Sequence, residues 1–330
     1  MNIGLVGFGF IGKTHLEAYE KISHCTVKAI CTKSGKAENL PNHFTGSITT
    51  DFEDLITDPE IDIIDICLPT YLHEEYIIKA AEAKKNMICE KPLTLTTTSA
   101  KKIIDVVNNN KVQLYVGHVV RFWPEYQLMK SHYPTEKRDS IQIVQAHRLG
   151  QAPNWSTWFK YPEKSGGALY DLHIHDIDFT YYLLGDVDAV YAAGIKNDDG
   201  AWVHLMTTLH LKSGAKAMIE ASHLMPQHYP FSIGYRAQAD DSTIELTIKA
   251  GENIENIDQA EHSFYLYQNG SSTPLQPETD DAFYNQLSYF IDCIRENKPN
   301  NVIPLADVLY TLQILEAIDQ SLQTGKVINL

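Results

Sequence analysis

Paired cysteines are missing from this 330-residue chain. Its five cysteines, Cys25, Cys31, Cys67, Cys89 and Cys293, include no CxxC spacing, and an odd number closes no disulfide framework. Several lie in apolar runs, which reads as small buried hydrophobes in a reducing compartment. Long apolar runs are missing too. None approaches the ~20 residues that span a bilayer, and no basic segment followed by an apolar stretch opens the chain. A cytoplasmic protein is expected, with no membrane partner. Positive charge is in deficit, 27 Lys and Arg against 42 Asp and Glu, for a formal charge of −15 at pH 7. That excludes a nucleic-acid backbone as the main partner, though not a local basic pocket for one phosphate. Internal repeats, low-complexity segments and disordered linkers are also absent. What remains is ordinary for a globular protein, 44% hydrophobic and 21% charged. The length predicts two domains.

Residues 2–12 read NIGLVGFGFIG. A short apolar strand runs into Gly7-Phe8-Gly9-Phe10-Ile11-Gly12, and a helix is predicted over 11–22. In a G-x-G-x-x-G turn the first glycine makes the tight bend and the second lets the backbone approach a pyrophosphate. The third lets helix and strand pack closely, and the helix N-terminus adds a positive dipole end. Dinucleotide binding is the expectation. The second strand, 26–31, ends in Thr32-Lys33-Ser34, where an NAD-binding unit usually carries Asp or Glu for the ribose 2′-hydroxyl. A cation and two hydroxyls at this point favour NADP(H), with NAD(H) as the alternative.

Further strands are predicted over 62–68, 87–89 and 112–117, with helices to about residue 84 and over 97–109. Alternating strands and helices imply a doubly wound parallel sheet, with ligands at the carboxyl ends of its strands. Leu68, Pro69, Thr70 and His73 follow one such end, and Glu90 and Lys91 another. These are taken as cofactor-edge residues. The alternation stops after Arg121. Strands are then predicted over 140–148, 187–195, 203–211, 215–222, 231–237 and 242–248, and helices over 281–296 and 305–324. The expected domains are therefore 1–120 and 121–330, with the last helix able to pack back on the first.

The densest chemistry lies in 165–179, SGGALYDLHIHDIDF, where Asp171, His173, His175, Asp176 and Asp178 crowd eight positions. On an α-helix His175 lies about 40° from Asp171 and Asp178 about 20° away on the other side, while His173 and Asp176 point elsewhere. One ion could collect two or three ligands here but not all five. No Cys/His spacing elsewhere suits zinc, so no metal is assigned. Trp155, Trp158 and Tyr161 precede the stretch and would serve either as sugar-stacking rings or as core.

Taken together, these segments resemble the Gfo/Idh/MocA oxidoreductases, the family of glucose–fructose oxidoreductase and inositol dehydrogenase. The matching pieces are GFGFIG at 7–12, LPTYLH at 68–73, EKPL at 90–93, GHVVRFWPEY at 117–126, PEKSGGALYDLHIHDID at 162–178 and the C-terminal segments. The resemblance implies a Rossmann domain followed by an α+β domain with a large open, mainly antiparallel sheet, through which a homodimer or homotetramer would form. It implies hydride transfer between nicotinamide and a carbinol carbon of a sugar, cyclitol or related polyol. By the same resemblance Lys91 stands beside the reacting hydroxyl, Glu90 orients it, and the Lys91–Pro92 bond is a candidate for cis. His175 takes the proton and Asp171 holds the imidazole; Arg121 and Trp158 join Asp171 and His175 as substrate-binding residues. The family often has Gly where this chain has His173, and Asn where it has Val119, which leaves the substrate open. A cofactor-binding sensor without turnover and a reductase of a non-sugar carbonyl are the alternative readings.

Overall fold

The computed structural model describes residues 1–37, 40–152, 157–251 and 260–330. The chain divides into two compact units, Met1–Trp123 with Asp280–Leu309, and Pro124–Thr279 with Tyr310–Leu330. This departs from a single cut near residue 120. The chain returns to the first unit over Asp280–Leu309, and the last helix belongs mostly to the second.

The first unit is built on six parallel strands: β1 (Asn2–Val6), β2 (Thr26–Cys31), β3 (Ser47–Thr49), β4 (Ile63–Ile66), β5 (Asn86–Glu90) and β6 (Leu114–Gly117). Their order is β3-β2-β1-β4-β5-β6. β4 and β6 are buried at every position, as expected of strands covered on both faces. The helices are α1 (Phe10–Glu20), α2 (Phe52–Thr57), α3 (His73–Glu82) and α4 (Thr97–Asn110). Their ends are chemically marked. Asp51 caps α2 by accepting from Glu53 N–H, and Thr96 caps α4 by accepting from Ser99 N–H. α4 buries Ala100, Ile103 and Val107, a stripe at helical spacing. The strand order reverses between β1 and β4, which opens a crevice at their carboxyl ends. The returning helix, Ala282–Glu296, sets Phe290 against Tyr115, ring centroids 5.0 Å apart.

The second unit carries a nine-stranded sheet. Its strands are β7 (Ile141–Leu149), β8 (Val187–Lys196), β9 (Trp202–Leu211), β10 (Lys216–Ser222), β11 (Ser232–Ala239), β12 (Ser242–Lys249), β13 (Glu261–Gln268), β14 (Ser271–Pro274) and β15 (Ile328–Asn329). The order is β14-β13-β12-β11-β7-β10-β9-β8-β15, and only β7 and β10 run parallel. Along β9, Val203, Leu205, Thr207, Leu209 and Leu211 are buried, while the alternate residues face the other way. That other face leaves Tyr191, Ile195, Met206 and Met218 exposed. The β13–β14 hairpin was not anticipated. Its signal was Asn269-Gly270, both at positive φ, as a two-residue hairpin turn requires.

All five cysteines are free and none is exposed. Burial pushes the Cys25 thiol up to about 11 and Cys67 up to about 12, and it raises Cys31, Cys89 and Cys293 as well. Among the described residues no helix is long and apolar enough to cross a membrane.

The helix Ile174–Leu184 reaches the sheet through aromatic edges. Phe179 sits 4.7 Å from Tyr126 and 5.2 Å from Tyr235, both near perpendicular. Phe179→Ala should therefore destabilise the protein by about 3–5 kcal/mol, measured by urea unfolding of the second unit's aromatic signal.

Candidate active site

The glycine turn after β1 is shaped by close backbone approach. Gly7 has φ +90, and a Cβ there would stand 2.4 Å from the Cys67 carbonyl oxygen. A Cβ on Gly12 would stand 2.2 Å from the Gly7 carbonyl oxygen. Gly9 has open space where a side chain would begin. α1 starts with Gly9 at its N-cap, no side chain satisfies its first N–H groups, and no acid sits in its first turn. Those free donors and the dipole fit an anion such as a pyrophosphate. Phe8 and Ile11 are half-buried beside the turn, and Phe10 is exposed.

At the end of β2, Thr32 is buried and Lys33 and Ser34 are exposed. The Thr32 and Ser34 hydroxyls both donate to the Lys36 carbonyl, at 3.3 and 3.2 Å. They hold the turn, and Lys33 is left facing solvent. Asp51 and Asp54 stand close enough to Cys31 to raise its thiol further.

Beyond β4, Leu68 and Pro69 lead into a short helical turn, Thr70–Leu72, with Thr70 buried. His73 places Nε2 2.8 Å from the Leu68 carbonyl and Nδ1 3.0 Å from the Pro92 carbonyl. Burial draws its pKa down against these contacts. It is a brace tying two strand-end loops together. The Lys91–Pro92 bond is cis. Glu90 is buried, and its Oε2 accepts from the Lys91 backbone N–H at 3.2 Å.

Behind Glu90 lies a group that sequence spacing did not announce. His15 of α1, fully buried, places Nδ1 2.8 Å from Asp65 Oδ2 and Nε2 3.3 Å from Glu90 Oε1. Tyr19 donates to the same Asp65 oxygen at 2.8 Å. The Cys67 Sγ lies 3.4 Å from His15 Nδ1. His15, Asp65 and Cys67 come within metal-ligand reach of one another. Hydrogen bonds already link all three, and burial keeps Cys67 a thiol. The chemistry is that of a proton-linked cluster.

In the second unit the crowded stretch separates into individual tasks. It begins with Gly166 and Gly167 at positive φ. A Cβ on Gly167 would stand 2.5 Å from the Trp202 carbonyl oxygen. Leu169–His173 then forms a π-helical turn before the α-helix Ile174–Leu184. The wider turn breaks the 100° arithmetic that related Asp171 to His175. Asp176 makes a two-pronged pair with Arg148, at 3.2 Å to Nε and 3.1 Å to Nη2, both residues buried. Asp178 accepts from the Thr311 hydroxyl at 3.0 Å. His173 is fully buried against Thr207 Oγ1 at 2.8 Å, and burial pulls its pKa down to about 3. It is a neutral core residue. Only Asp171 and His175, of the five, keep solvent exposure. Asp171 Oδ2 lies 3.2 Å from Nε2 of the buried His223, just past β10. His223 was missed, because nothing in its spacing links it to a residue 52 positions earlier.

One expectation for substrate binding changes. Arg121 is 1% exposed, and its Nη1 donates to the Val302 carbonyl and to Asp307 Oδ2, both at 2.7 Å. It clamps the returning segment and is a structural residue. Trp158 is half-buried and stacked on Phe159, centroids 4.1 Å apart. Trp155 lies outside the described residues.

Residues 1–118 match the profile of an oxidoreductase family with an NAD-binding Rossmann fold, and residues 138–251 match the GFO/IDH/MocA C-terminal domain. The chain belongs to the Gfo/Idh/MocA family of oxidoreductases. It is 28% identical to the uncharacterized oxidoreductase YrbE of Bacillus subtilis (strain 168), over 99% of this chain and 96% of that protein. It is 27% identical to a myo-inositol 2-dehydrogenase of Thermotoga maritima, over 91% and 90%. The fold is shared with a levoglucosan dehydrogenase in complex with NADH and levoglucosan, at TM-score 0.80 and 24% identity, covering 100% of this chain and 99% of that one.

The buried neutral His173 has a signed consequence. Its folded pKa of about 3 lies below the ordinary 6.5, so the unfolded chain binds the extra proton first as pH falls. Its contribution is complete above pH 6.5 and is lost progressively toward pH 3. The stability gap between the wild type and His173→Asn, from urea titrations, should narrow steadily between those limits.

Proposed function

We propose that the protein is a dehydrogenase of a sugar, cyclitol or related polyol, using Lys91, Asp171 and His175. The observation that carries this reading is selective exposure. Of five ionisable residues in one stretch, three are buried, each with a hydrogen-bond partner inside the protein, and the two left to solvent are the carboxylate and imidazole that a proton relay needs. The glycine cradle before α1 fits a dinucleotide, whose nicotinamide supplies the hydride acceptor when bound. His175 takes the O–H proton as the carbinol C–H electron pair departs and the carbonyl forms. Asp171, held by His223 at 3.2 Å, stabilises the resulting imidazolium. Lys91 donates a hydrogen bond to the substrate oxygen and favours its developing negative charge.

NADP(H) is the favoured cofactor, because Lys33 is the exposed cation at the end of β2 and no carboxylate occupies that strand end. Asp51 and Asp54 nearby are the features that would favour NAD(H) instead. The exposed apolar residues Tyr191, Ile195, Met206 and Met218 support a homodimer or homotetramer formed through the outer face of the sheet.

The test is a panel of sugars, cyclitols and non-sugar carbonyls with both cofactors, followed at 340 nm, beside cofactor binding by nicotinamide fluorescence. Turnover on a polyol is expected, with kcat reduced at least ~100-fold in His175→Ala and Lys91→Ala. Cofactor binding without turnover on any compound would instead mark a sensor. Thr32→Asp should weaken NADP(H) relative to NAD(H) by about tenfold or more, and an unchanged ratio would sink the 2′-phosphate assignment.

A further inference from the structure

The buried cluster behind Glu90 is not used by the chemistry above, yet it reaches the backbone of the lysine assigned to it. His15 turns each ring nitrogen toward a different carboxylate, Asp65 at 2.8 Å and Glu90 at 3.3 Å. The Asp65 contact is a hydrogen bond, while the Glu90 contact is an ion-pair approach in which neither Nε2 nor Oε1 completes one, and a charged ring is what pairs two carboxylates at once. Asp65 is fixed in turn by Tyr19, and Glu90 Oε2 receives the Lys91 backbone N–H. The neighbours of His15 include the Cys67 thiol and the ring of Phe283, 5.7 Å away, and the buried His73 and Cys89 both feel the Glu90 charge. Gly117 leaves the space, since a Cβ there would stand 2.6 Å from Glu90 Oε1.

We propose that His15 is a positioning residue for Lys91, a doubly protonated bridge between Asp65 and Glu90 that fixes the Glu90 carboxylate and through it the Lys91 backbone. The place assigned to Lys91 rests on the dehydrogenase reading, but the bridge itself does not. A buried carboxylate deprived of its cation is costly and moves or takes up a proton. The Glu90 carboxylate accepts the Lys91 backbone N–H at 3.2 Å, so whatever holds Glu90 holds that stretch of backbone. Burial pulls the His15 pKa down, and Cys67 and Asp65 raise it well above the ordinary value. Burial holds Cys67 as a thiol at neutral pH, so the bridge stands on the Asp65 and Glu90 contacts.

The experiment uses full-length protein labelled with 15N-histidine, with the His15 signals assigned by their loss in His15→Gln. Both ring nitrogens should carry protons at pH 8. Asp65→Asn keeps the shape and removes the charge. It should fold, judged by its thermal melt, and hold cofactor within about threefold of wild type, yet lose about tenfold in kcat with little change in KM. A readout independent of turnover is the rate at which an amine-reactive reagent labels Lys91, followed by peptide mass spectrometry. That rate should shift about threefold or more in Asp65→Asn, while Lys164 labels as before. A singly protonated His15 at pH 8, an unchanged Lys91 labelling rate in folded Asp65→Asn, or stoichiometric zinc in the purified protein would each overturn the proposal. If the wild type turns over nothing, the dehydrogenase reading fails, and ring protonation and Lys91 labelling still decide the bridge.

Discussion

An ionic group taken out of water must meet a partner where it is buried, and that constraint organises both units. In the second, the Asp176 carboxylate and the Arg148 guanidinium satisfy each other between the helix Ile174–Leu184 and β7. Removing either partner alone leaves a charge with no return to solvent, which is why such pairs are kept or lost together. In the first unit, Arg121 does the same for the returning segment through Val302 and Asp307. His15 stands between two carboxylates by the same rule.

The π-helical turn Leu169–His173 does the sorting. A regular helix would distribute its side chains at a fixed 100° step and set Asp171 and His175 nearly in register. Widening the turn turns His173 inward to Thr207 and brings Asp171 to His223, while Asp176 and Asp178 continue inward along the regular helix. Such insertions recur where a helix must present two side chains at a spacing that its ordinary pitch does not supply. Gly166 and Gly167 allow this irregular start, because their positive φ and the nearness of Tyr170 and Trp202 leave no room for a Cβ.

Much of the architecture was legible in the sequence, and the reasons are local. The parallel sheet followed from buried apolar runs alternating with helical stripes, and the cradle from three glycines whose roles are steric. Six strands of the second sheet showed themselves by alternation. β13, β14, β3 and β15 did not, being short or largely exposed, with little apolar pattern to read. In the site, Asp171 and His175 stood out by density of titratable residues, and helix geometry already turned His173 and Asp176 away from them, but the partners of those neighbours, Thr207 and Arg148, were not legible. Arg121 read as a substrate contact because sequence cannot say that a guanidinium is 1% exposed. His223, His15 and Asp65 were silent for a plainer reason. Their partners lie 50 or more positions away, and only the fold brings them together.

The five unpaired thiols carry a practical consequence of their own. None is exposed, and burial raises the pKa of every one, so little thiolate exists at neutral pH to attack an electrophile. Raised thiol pKa values and burial both act to slow reaction with maleimides and mild oxidants. A single cysteine introduced on an exposed loop would be the fast-reacting thiol of the chain, so a fluorophore or spin label could be attached there without first stripping out the natural five.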